Sequence, residues 1–519
     1  MIQTHQHLSF SILSILLGVV LLARRRKWLN RLRGCVLPPG PRGLPVIGNL
    51  LDLPNTDQPW KVYDDWAQTY GDMVYTQVMS TPMLLISSAN IAFDLLDKRS
   101  AIYSDRSVSV MNELTAWDFN VGFMPYGQRW RSIRKKVHEY FNLTVTPNHR
   151  DTQTEEVHAF LRRCLAHTGK ELHPLFIRQL VAGIIANTVY GIEIKDMNHE
   201  YIRLVTQSRE VMDTIKQPGN FWLDYMPLLR HIPTWVPGAV GVKYAARVRP
   251  TVEAMLNKPF DTIKDEVDPK DSIALDMINR LKEVHDPERR AIEERCAKDA
   301  SAMAYSAGSD TSYSLIQIFL CAMAAYPDIQ RKAQEELQAV VGHDRLPTYE
   351  DRGSLPYIQA IFLECMRWRP IVPLGVVHRL MEDDYYNGYF IPAGTLVVPF
   401  VWRMLRNPQE YSEPEKFKPE RFIKDSALNP DVLDPNSLAF GFGRRICPGR
   451  YFAMDTAFMA MASILHVFNV VPSLDKDGNQ LNPIPRWIGG HVSRPDSLHY
   501  MLYSRSGASE KLVHATATT

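Results

Sequence analysis

The sequence predicts a mainly α-helical protein with a small β portion, built as one large domain behind an N-terminal apolar segment. Three observations support this. Helical periodicity dominates beyond residue 50, strand-like patterns are short, and no repeat or composition shift divides the chain further. Hydrophobic residues make up 45% of the 519 residues and charged residues 22%, so a sizeable core can be buried.

The N-terminus predicts a membrane anchor. Residues 8–23 are uncharged and mostly apolar, about the shortest length that spans a bilayer, and residues 24–27 are all basic. Basic residues that follow an apolar run favour a retained anchor with the rest of the chain in the cytosol. A cleaved signal peptide has its basic residues before the apolar run instead. We therefore expect a single-pass anchor and basic flank over 1–34, in the endoplasmic reticulum membrane. A soluble chain with an apolar N-terminus is the alternative.

Two further segments complete the predicted organisation. Residues 35–50 include Leu37–Pro45, in which four prolines remove amide donors and stiffen the backbone. We expect this segment to be a hinge that orients the body against the membrane. Residues 51–519 are predicted to form a single large domain.

Within this domain, local patterns predict particular elements. Met73–Ser87 is strand-like, as are Gly375–Leu380 and Tyr389–Pro399, and Arg403–Asp434 is expected to be an ordered meander. Helices are predicted at Lys61–Tyr70, Ile91–Asp97, Trp130–Phe141, Ile292–Ala325, Asp328–Val341 and Ile358–Arg369.

Composition argues against several classes of function. The net charge is +2, and basic residues are not gathered on aromatic-interleaved stretches, so nucleic acid is not an expected partner. The six cysteines form no close pair and no zinc-type cluster, which favours reduced thiols facing the cytosol.

The run from Phe440 to Gly449 is the most informative motif, because it sets Cys447 among three glycines and two arginines. Cysteine binds metals as the thiolate, which cations and backbone N–H groups stabilise. The loop therefore suits a thiolate axial ligand of haem iron. A buried structural cysteine is the alternative, but it gives no reason for this spacing.

Three other groups of residues stand out. Asp310 and Thr311 follow Gly308 within a predicted helix, where an acid beside an alcohol can pass protons to a bound ligand. Glycine there removes a side chain and is expected to open room beside the helix. Trp130 and Arg134 are four residues apart, and Glu364 and Arg367 three apart, so each pair shares a helix face. Taken alone, an acid and base pair such as Glu364 and Arg367 is often incidental.

The spacing Phe-x-x-Gly-x-Arg-x-Cys-x-Gly at 440–449 resembles the signature of the cytochrome P450 family, and the other motifs follow in the family's order. The resemblance implies the cytochrome P450 fold, haem b, and Cys447 as the iron ligand. It implies proton delivery by Asp310 and Thr311 and a structural network of Glu364, Arg367 and Arg421. The remaining haem-binding residues that it implies are Trp130, Arg134, Arg445, Phe440, Gly441, Gly449 and either His378 or Arg379.

The resemblance also implies a function. A monooxygenase of this family would insert one atom of O2 into a lipophilic small molecule, by hydroxylation or epoxidation. Fungal membrane-bound members look most similar, which suggests secondary metabolism or xenobiotic oxidation. The chain has no flavin or nicotinamide fingerprint, so electrons from NADPH must come through a separate cytochrome P450 reductase, with cytochrome b5 as a further candidate donor. The alternatives are an electron-independent haem-thiolate isomerase or dehydratase, and a non-catalytic haem-binding protein.

Substrate contacts are expected, by resemblance, from four segments that contain apolar side chains such as Phe119, Phe123, Trp222 and Trp235. These segments are Ser104–Phe123, Val211–Pro237, Val372–Val376 and Ile488–His491. They suit a lipophilic substrate, but they do not identify it.

Overall fold

The computed structural model describes residues 19, 22–216, 220–489 and 491–517, and helices dominate it. Short helical turns connect the longer elements, including Ala89–Ala92, Phe93–Lys98, Ser100–Tyr103, Val110–Leu114, Val401–Met404, Pro419–Phe422 and Asn436–Ala439. The longer helices are α1 (22–32), α2 (Pro59–Tyr70), α3 (Gln128–Phe141), α4 (Arg150–Leu165), α5 (Pro174–Tyr190), α6 (Glu200–Lys216), α7 (Val240–Asp265), α8 (Ile273–Lys282), α9 (Pro287–Ala325), α10 (Pro327–Val341), α11 (Pro356–Trp368), α12 (Arg450–Val467) and α13 (Gly507–Ala515).

The β portion is small, as predicted. Strands β1 and β2 pair antiparallel, β2 pairs parallel with β6, and β6 pairs antiparallel with β3, while the other strands form two-stranded sheets. The strands are β1 (Met73–Val78), β2 (Thr81–Ile86), β3 (His378–Arg379), β4 (Asp384–Tyr386), β5 (Tyr389–Ile391), β6 (Leu396–Pro399), β7 (Ile423–Lys424), β8 (Ala427–Leu428), β9 (Phe468–Pro472), β10 (Trp487–Ile488), β11 (Arg494–Pro495) and β12 (Tyr500–Ser504).

Some predicted elements differ in detail. Met73–Ser87 is a hairpin rather than one strand, because the chain turns at Met79, which has a positive φ of 55°. The predicted helix Ile91–Asp97 widens into a π-helical turn from Phe93 onward. Of the predicted strand Gly375–Leu380, only two residues pair with β6. The proline-rich segment is hydrogen-bonded to β1, because the Tyr75 amide donates to Pro39 O over 2.8 Å.

The long helix α9 organises the core. It begins after Asp286, whose side chain accepts from the Arg289 amide, and it ends at Ala325, before Tyr326 and Pro327. It packs against α3, α5, α8 and α12. The Gly308 position lets α5 approach closely: a Cβ there would lie 3.2 Å from two Ile185 side-chain atoms. The expectation that this glycine opens room beside the helix is therefore wrong on that side, because Ile185 fills it.

The predicted anchor over residues 8–23 lies almost wholly outside the described residues. Within the part of the chain that is described, no helix is long and apolar enough to cross a bilayer. Helix α1, which contains most of the basic flank, docks on the body. Arg31 donates two hydrogen bonds to Asp383, of 2.8 and 2.6 Å, and the Trp28 ring meets the Phe390 ring edge-on at 5.6 Å.

The Glu364 carboxylate joins α11 to the meander that precedes Cys447. Arg367 donates to it through Nε over 2.7 Å and Nη2 over 2.9 Å, and Arg421 donates over 3.2 Å. Arg367 also donates to the carbonyls of Leu405, Pro414 and Lys416. Glu364 and Arg367 are fully buried, so the network is a structural tie rather than a surface ion pair.

We predict that Glu364→Gln lowers the free energy of unfolding by about 3–5 kcal/mol, because it leaves two buried guanidinium groups without their counter-charge. Urea unfolding of the detergent-solubilised full chain, followed by circular dichroism, measures the change.

Asp328→Asn is the matched control, since Asp328 and Arg331 also form an ion pair three residues apart on a helix, but in solvent. We expect it to leave stability almost unchanged. Equal effects of the two substitutions would contradict the structural role of Glu364.

Candidate active site

The cysteine loop runs from the short helix Asn436–Ala439 to the start of α12. The Cys447 amide donates to Phe440 O over 2.8 Å, which closes the loop. Gly441 and Gly443 have φ of +80° and +50°, where side chains are disfavoured. A Cβ on Gly443 would lie 2.4 Å from Leu96 O, so this glycine also lets the loop pack against the π-helical turn. Backbone geometry therefore accounts for the glycines at 441 and 443, whereas Gly449 has a φ of −90° that any residue can adopt.

The Cys447 sulfur is surrounded by groups that favour negative charge. Burial raises the pKa of the thiol, while the Gly449 N–H, Arg134 and Arg450 each lower it. Arg134, from α3, donates to the Ile446 carbonyl, and Arg450 donates to Cys447 O over 3.1 Å. A metal cation would supply the further stabilisation that a buried thiolate needs.

Arg445 has unused donor capacity. It is 8% exposed and donates to Ser104 O over 2.7 Å and to Val121 O over 3.0 Å, but its Nη2 has no hydrogen-bond partner in the described structure. Its guanidinium lies 4.3 Å from the Trp130 ring centroid, and Trp130 Nε1 also donates to Val121 O. Since buried guanidinium groups are normally paired, the free Nη2 fits an anionic ligand.

The structure separates the two candidates His378 and Arg379. His378 is 2% exposed, and its Nδ1 lies 2.7 Å from Tyr103 O, so Nδ1 donates a hydrogen bond to that carbonyl. Nε2 is therefore the ring nitrogen that can contact a ligand. Burial, Arg106 and Arg445 lower its pKa well below the usual value. A carboxylate beside Nε2 would reverse this by favouring the imidazolium. Arg379 is exposed and pairs with Asp105 at 3.3 Å. His378 is thus the buried one of the two, and the charge of Arg445 acts on it.

Arg106 is a site residue that the sequence analysis missed. It is 4% exposed and donates to Gly122 O over 3.0 Å and to Val376 O over 2.6 Å. Burial and Arg445 lower its pKa, which marks the two as neighbours. Nothing in the local sequence distinguishes Arg106 from other loop arginines, because its partners come from distant segments.

Together these residues fit the group that the sequence predicts. Arg106, Arg445 and His378 form a buried cluster of donors with an excess of positive charge, which suits the two propionates of haem. The cysteine loop contains a sulfur suited to binding iron, and on α3 Trp130 lies beside Arg445 while Arg134 contacts the loop at Ile446. The donor set therefore matches haem rather than a bare metal ion.

Asp310 and Thr311 lie on α9, which packs on both α3 and α12. Thr311 Oγ1 donates to Ala307 O over 2.9 Å, so its hydroxyl uses the helix's own carbonyl. Asp310 Oδ1 lies 3.3 Å from Arg209 Nε on α6. Burial raises the pKa of Asp310 and Arg209 lowers it. The acid and alcohol are adjacent, and the acid is already paired with a residue that sequence analysis did not identify.

The ion pair of Asp310 belongs to a longer chain of charges. Asp213 accepts from Arg209 over 2.6 Å and from Arg494 over 2.9 Å. Through these contacts α9, α6 and β11 are joined beside Asp310.

The expected substrate segments are only partly enclosed. Phe119 is fully buried and Phe123 partly buried, but Trp222 and Trp235 are 50% and 79% exposed. The expectation that these two tryptophans line a substrate cavity is not supported by their exposure. Like Leu228, which is 84% exposed, they are exposed apolar side chains of this segment instead.

Comparison with known proteins agrees with this geometry. The family model for cytochrome P450 matches residues 38–498. Cytochrome P450 monooxygenase COX2 of Coprinopsis cinerea is 39% identical over 492 residues, covering 94% of this chain and 93% of the relative. Cytochrome P450 monooxygenase 208 of Postia placenta is 37% identical over 488 residues, covering 93% of each. With its haem-binding loop in place and this similarity along most of its length, the chain belongs to the cytochrome P450 family.

Proposed function

We propose that the protein is a haem-thiolate monooxygenase that inserts one atom of O2 into a lipophilic small molecule, by hydroxylation or epoxidation. The observation that carries the proposal is the closed glycine loop around Cys447, with N–H and guanidinium groups near the sulfur. Bound haem supplies the reductive activation of O2, in which two electrons and two protons are used and one oxygen atom leaves as water.

The residues on the cysteine side hold and tune the cofactor. Cys447 would bind the iron through its sulfur, and the Gly449 N–H would limit the charge on that sulfur. Arg106, Arg445 and His378 bind the propionates, together with Trp130 and Arg134. Phe440 and Gly441 shape the loop through which the Cys447 amide is held. These contacts would fix the orientation of the cofactor and exclude water from the Cys447 sulfur.

Asp310 and Thr311, both on α9, would deliver protons to the reacting centre. Because burial raises the pKa of Asp310, its carboxyl can carry a proton more readily than an exposed one. Arg209 opposes this shift and keeps the carboxylate in position. The Thr311 hydroxyl can rotate away from Ala307 O and pass a proton onward. An isomerase, a dehydratase or a non-catalytic protein has no need of such a pair.

Electrons come from NADPH through a separate reductase, with cytochrome b5 as a candidate second donor. An exposed basic surface around Tyr126 supports docking of an acidic partner near Cys447. Arg444 donates to the Tyr126 hydroxyl over 3.2 Å, and Arg131 lies over its ring at 5.6 Å. Electrostatic complementarity of this kind speeds association.

We also propose that the chain is anchored in the endoplasmic reticulum membrane by residues 8–23, with its body in the cytosol. The support is the apolar run followed by four basic residues. The exposed apolar side chains of Trp222, Leu228 and Trp235 support a second contact with lipid. A role in fungal secondary metabolism or xenobiotic oxidation agrees with the fungal origin of the relatives.

We predict that Cys447→Ser abolishes the characteristic carbon-monoxide band of reduced haem-thiolate proteins, because a serine oxygen cannot replace the thiolate. Carbon-monoxide difference spectra of the purified protein test this. Cys365→Ser is the control, since Cys365 is buried in α11 and has no proposed ligand role. A band that survives in Cys447→Ser would overturn the assignment.

We predict that Asp310→Asn and Thr311→Ala lower the fraction of NADPH consumption coupled to oxygenated product by about tenfold or more, since general acid catalysis contributes at least that much. NADPH, peroxide and product are measured together in membranes with reductase. Ser306→Ala, on the same helix, should leave coupling unchanged. Unchanged coupling in the first two variants would remove the relay.

We predict that Arg106→Leu speeds haem loss by about tenfold or more, because a buried charge-assisted hydrogen bond to a propionate is lost. Transfer of haem to excess apomyoglobin gives the rate. Arg379→Leu is the matched control, since Arg379 is exposed and pairs with Asp105. If Arg379→Leu had the larger effect, the assignment of the propionate site would be wrong.

A further inference from the structure

Lys216 closes the C-terminal end of α6 with its ammonium group over an aromatic ring. Its Nζ lies 4.2 Å from the centroid of Phe123, and the Phe123 ring lies 5.0 Å from the ring of His491. The three residues come from three separate segments and are all partly buried. We call them the Lys216 cluster.

The Lys216 cluster faces the same side as the proton-delivering pair. Lys216 follows Arg209 by seven residues, which is two turns of α6 and returns to the same helix face. Arg209 contacts Asp310 from that face. Seven residues correspond to about 10 Å along the axis, so the ammonium lies within a small molecule's length of Asp310 along α6. The cluster also joins three of the four segments expected to contact substrate.

Lys216 forms no ion pair within the part of the chain that the structure describes. No carboxylate of the described chain lies within ion-pair distance of it, and the residues outside the described ranges include no Asp or Glu. Burial lowers its pKa to about 8, and Asp224 only partly opposes this. Even a partly buried ammonium without an ion pair is costly, so structure alone gives no reason to keep it.

The carboxylates that act electrostatically on Lys216 and His491 already have hydrogen-bond partners. Asp213 accepts from Arg209 and Arg494. Asp224 accepts from Ser109 Oγ and from the Met111 amide, each over 3.1 Å. Neither is free to approach Lys216 without breaking its own hydrogen bonds.

His491 adds a neutral polar group to the cluster. Burial and Lys216 lower its pKa to about 4, so its imidazole is uncharged near neutral pH. A neutral imidazole has one N–H donor and one acceptor nitrogen. Beside the Lys216 ammonium, that N–H can donate to the second oxygen of an anion.

We propose that Lys216 and His491 bind the carboxylate of an otherwise apolar substrate, and that the oxidised compound is therefore a lipophilic carboxylic acid in its anionic form. The inference rests on the proposed monooxygenase function and deepens it. Phe123 packs beside both groups and provides apolar contact next to the charge, as an amphipathic substrate requires. The carboxylate would lie about two turns of α6 away from Asp310, which leaves the apolar body of the substrate to reach the reacting centre.

The test uses matched pairs of probes. Decanoic, dodecanoic, tetradecanoic, hexadecanoic and abietic acids, and the methyl ester of each, are titrated into the haem-loaded full chain, and the spin-state shift gives Kd. We expect at least one acid to bind about tenfold more tightly than its ester, the gain typical of a charged hydrogen bond. In Lys216→Met this preference should disappear, while ester binding stays within about twofold.

Two control variants separate the site from general charge effects. Lys216→Arg retains the cation and should keep the preference for the acid. Lys243→Met removes an exposed lysine of α7 and should change nothing. The proposal is overturned if no acid is preferred over its ester, or if the preference survives in Lys216→Met. A normal carbon-monoxide band in all variants, with oxygenation of any probe, would leave the monooxygenase function intact in that case.

Discussion

The buried Glu364 carboxylate is the constraint on which the haem side of the structure depends. Two guanidinium groups, from Arg367 and Arg421, converge on it, and Arg367 extends the tie to three meander carbonyls. The meander leads directly into the short helix before Phe440. Because the cysteine loop has little regular structure of its own, its position follows from this tie and from the start of α12. A charge network with no part in the chemistry thus determines where the chemistry occurs.

The two sides of the proposed haem site differ in how charge is balanced. On the cysteine and propionate side, buried donors exceed acceptors, and Arg445 retains an unpaired Nη2 among the described contacts. This excess is what an anionic cofactor bound through a thiolate would neutralise. On the side of α9, Asp310 and Asp213 are paired with Arg209 and Arg494. The acids proposed to exchange protons there are thus held in ion pairs, whereas Lys216 forms none among the described residues and points to an anionic substrate.

Features encoded in short stretches of sequence could be predicted. Long helices such as α9 and the Glu364–Arg367 pair follow from local periodicity, and the glycine loop from its spacing. Arg421 was assigned through the family resemblance alone, and the structure brings it to Glu364. Arg106 and Arg209 were missed because their roles depend on tertiary neighbours. Gly308 was misjudged for the same reason: local sequence indicates a missing side chain, but not that Ile185 of α5 occupies the space.

The central claim is that Cys447 sulfur binds haem iron, and X-ray absorption at the iron edge of the haem-loaded full chain tests it most directly. We expect one sulfur among the atoms bound to the iron, and we expect it to be absent in Cys447→Ser. An iron shell made only of nitrogen and oxygen in the unaltered protein would contradict it, as would a sulfur neighbour that persists without Cys447.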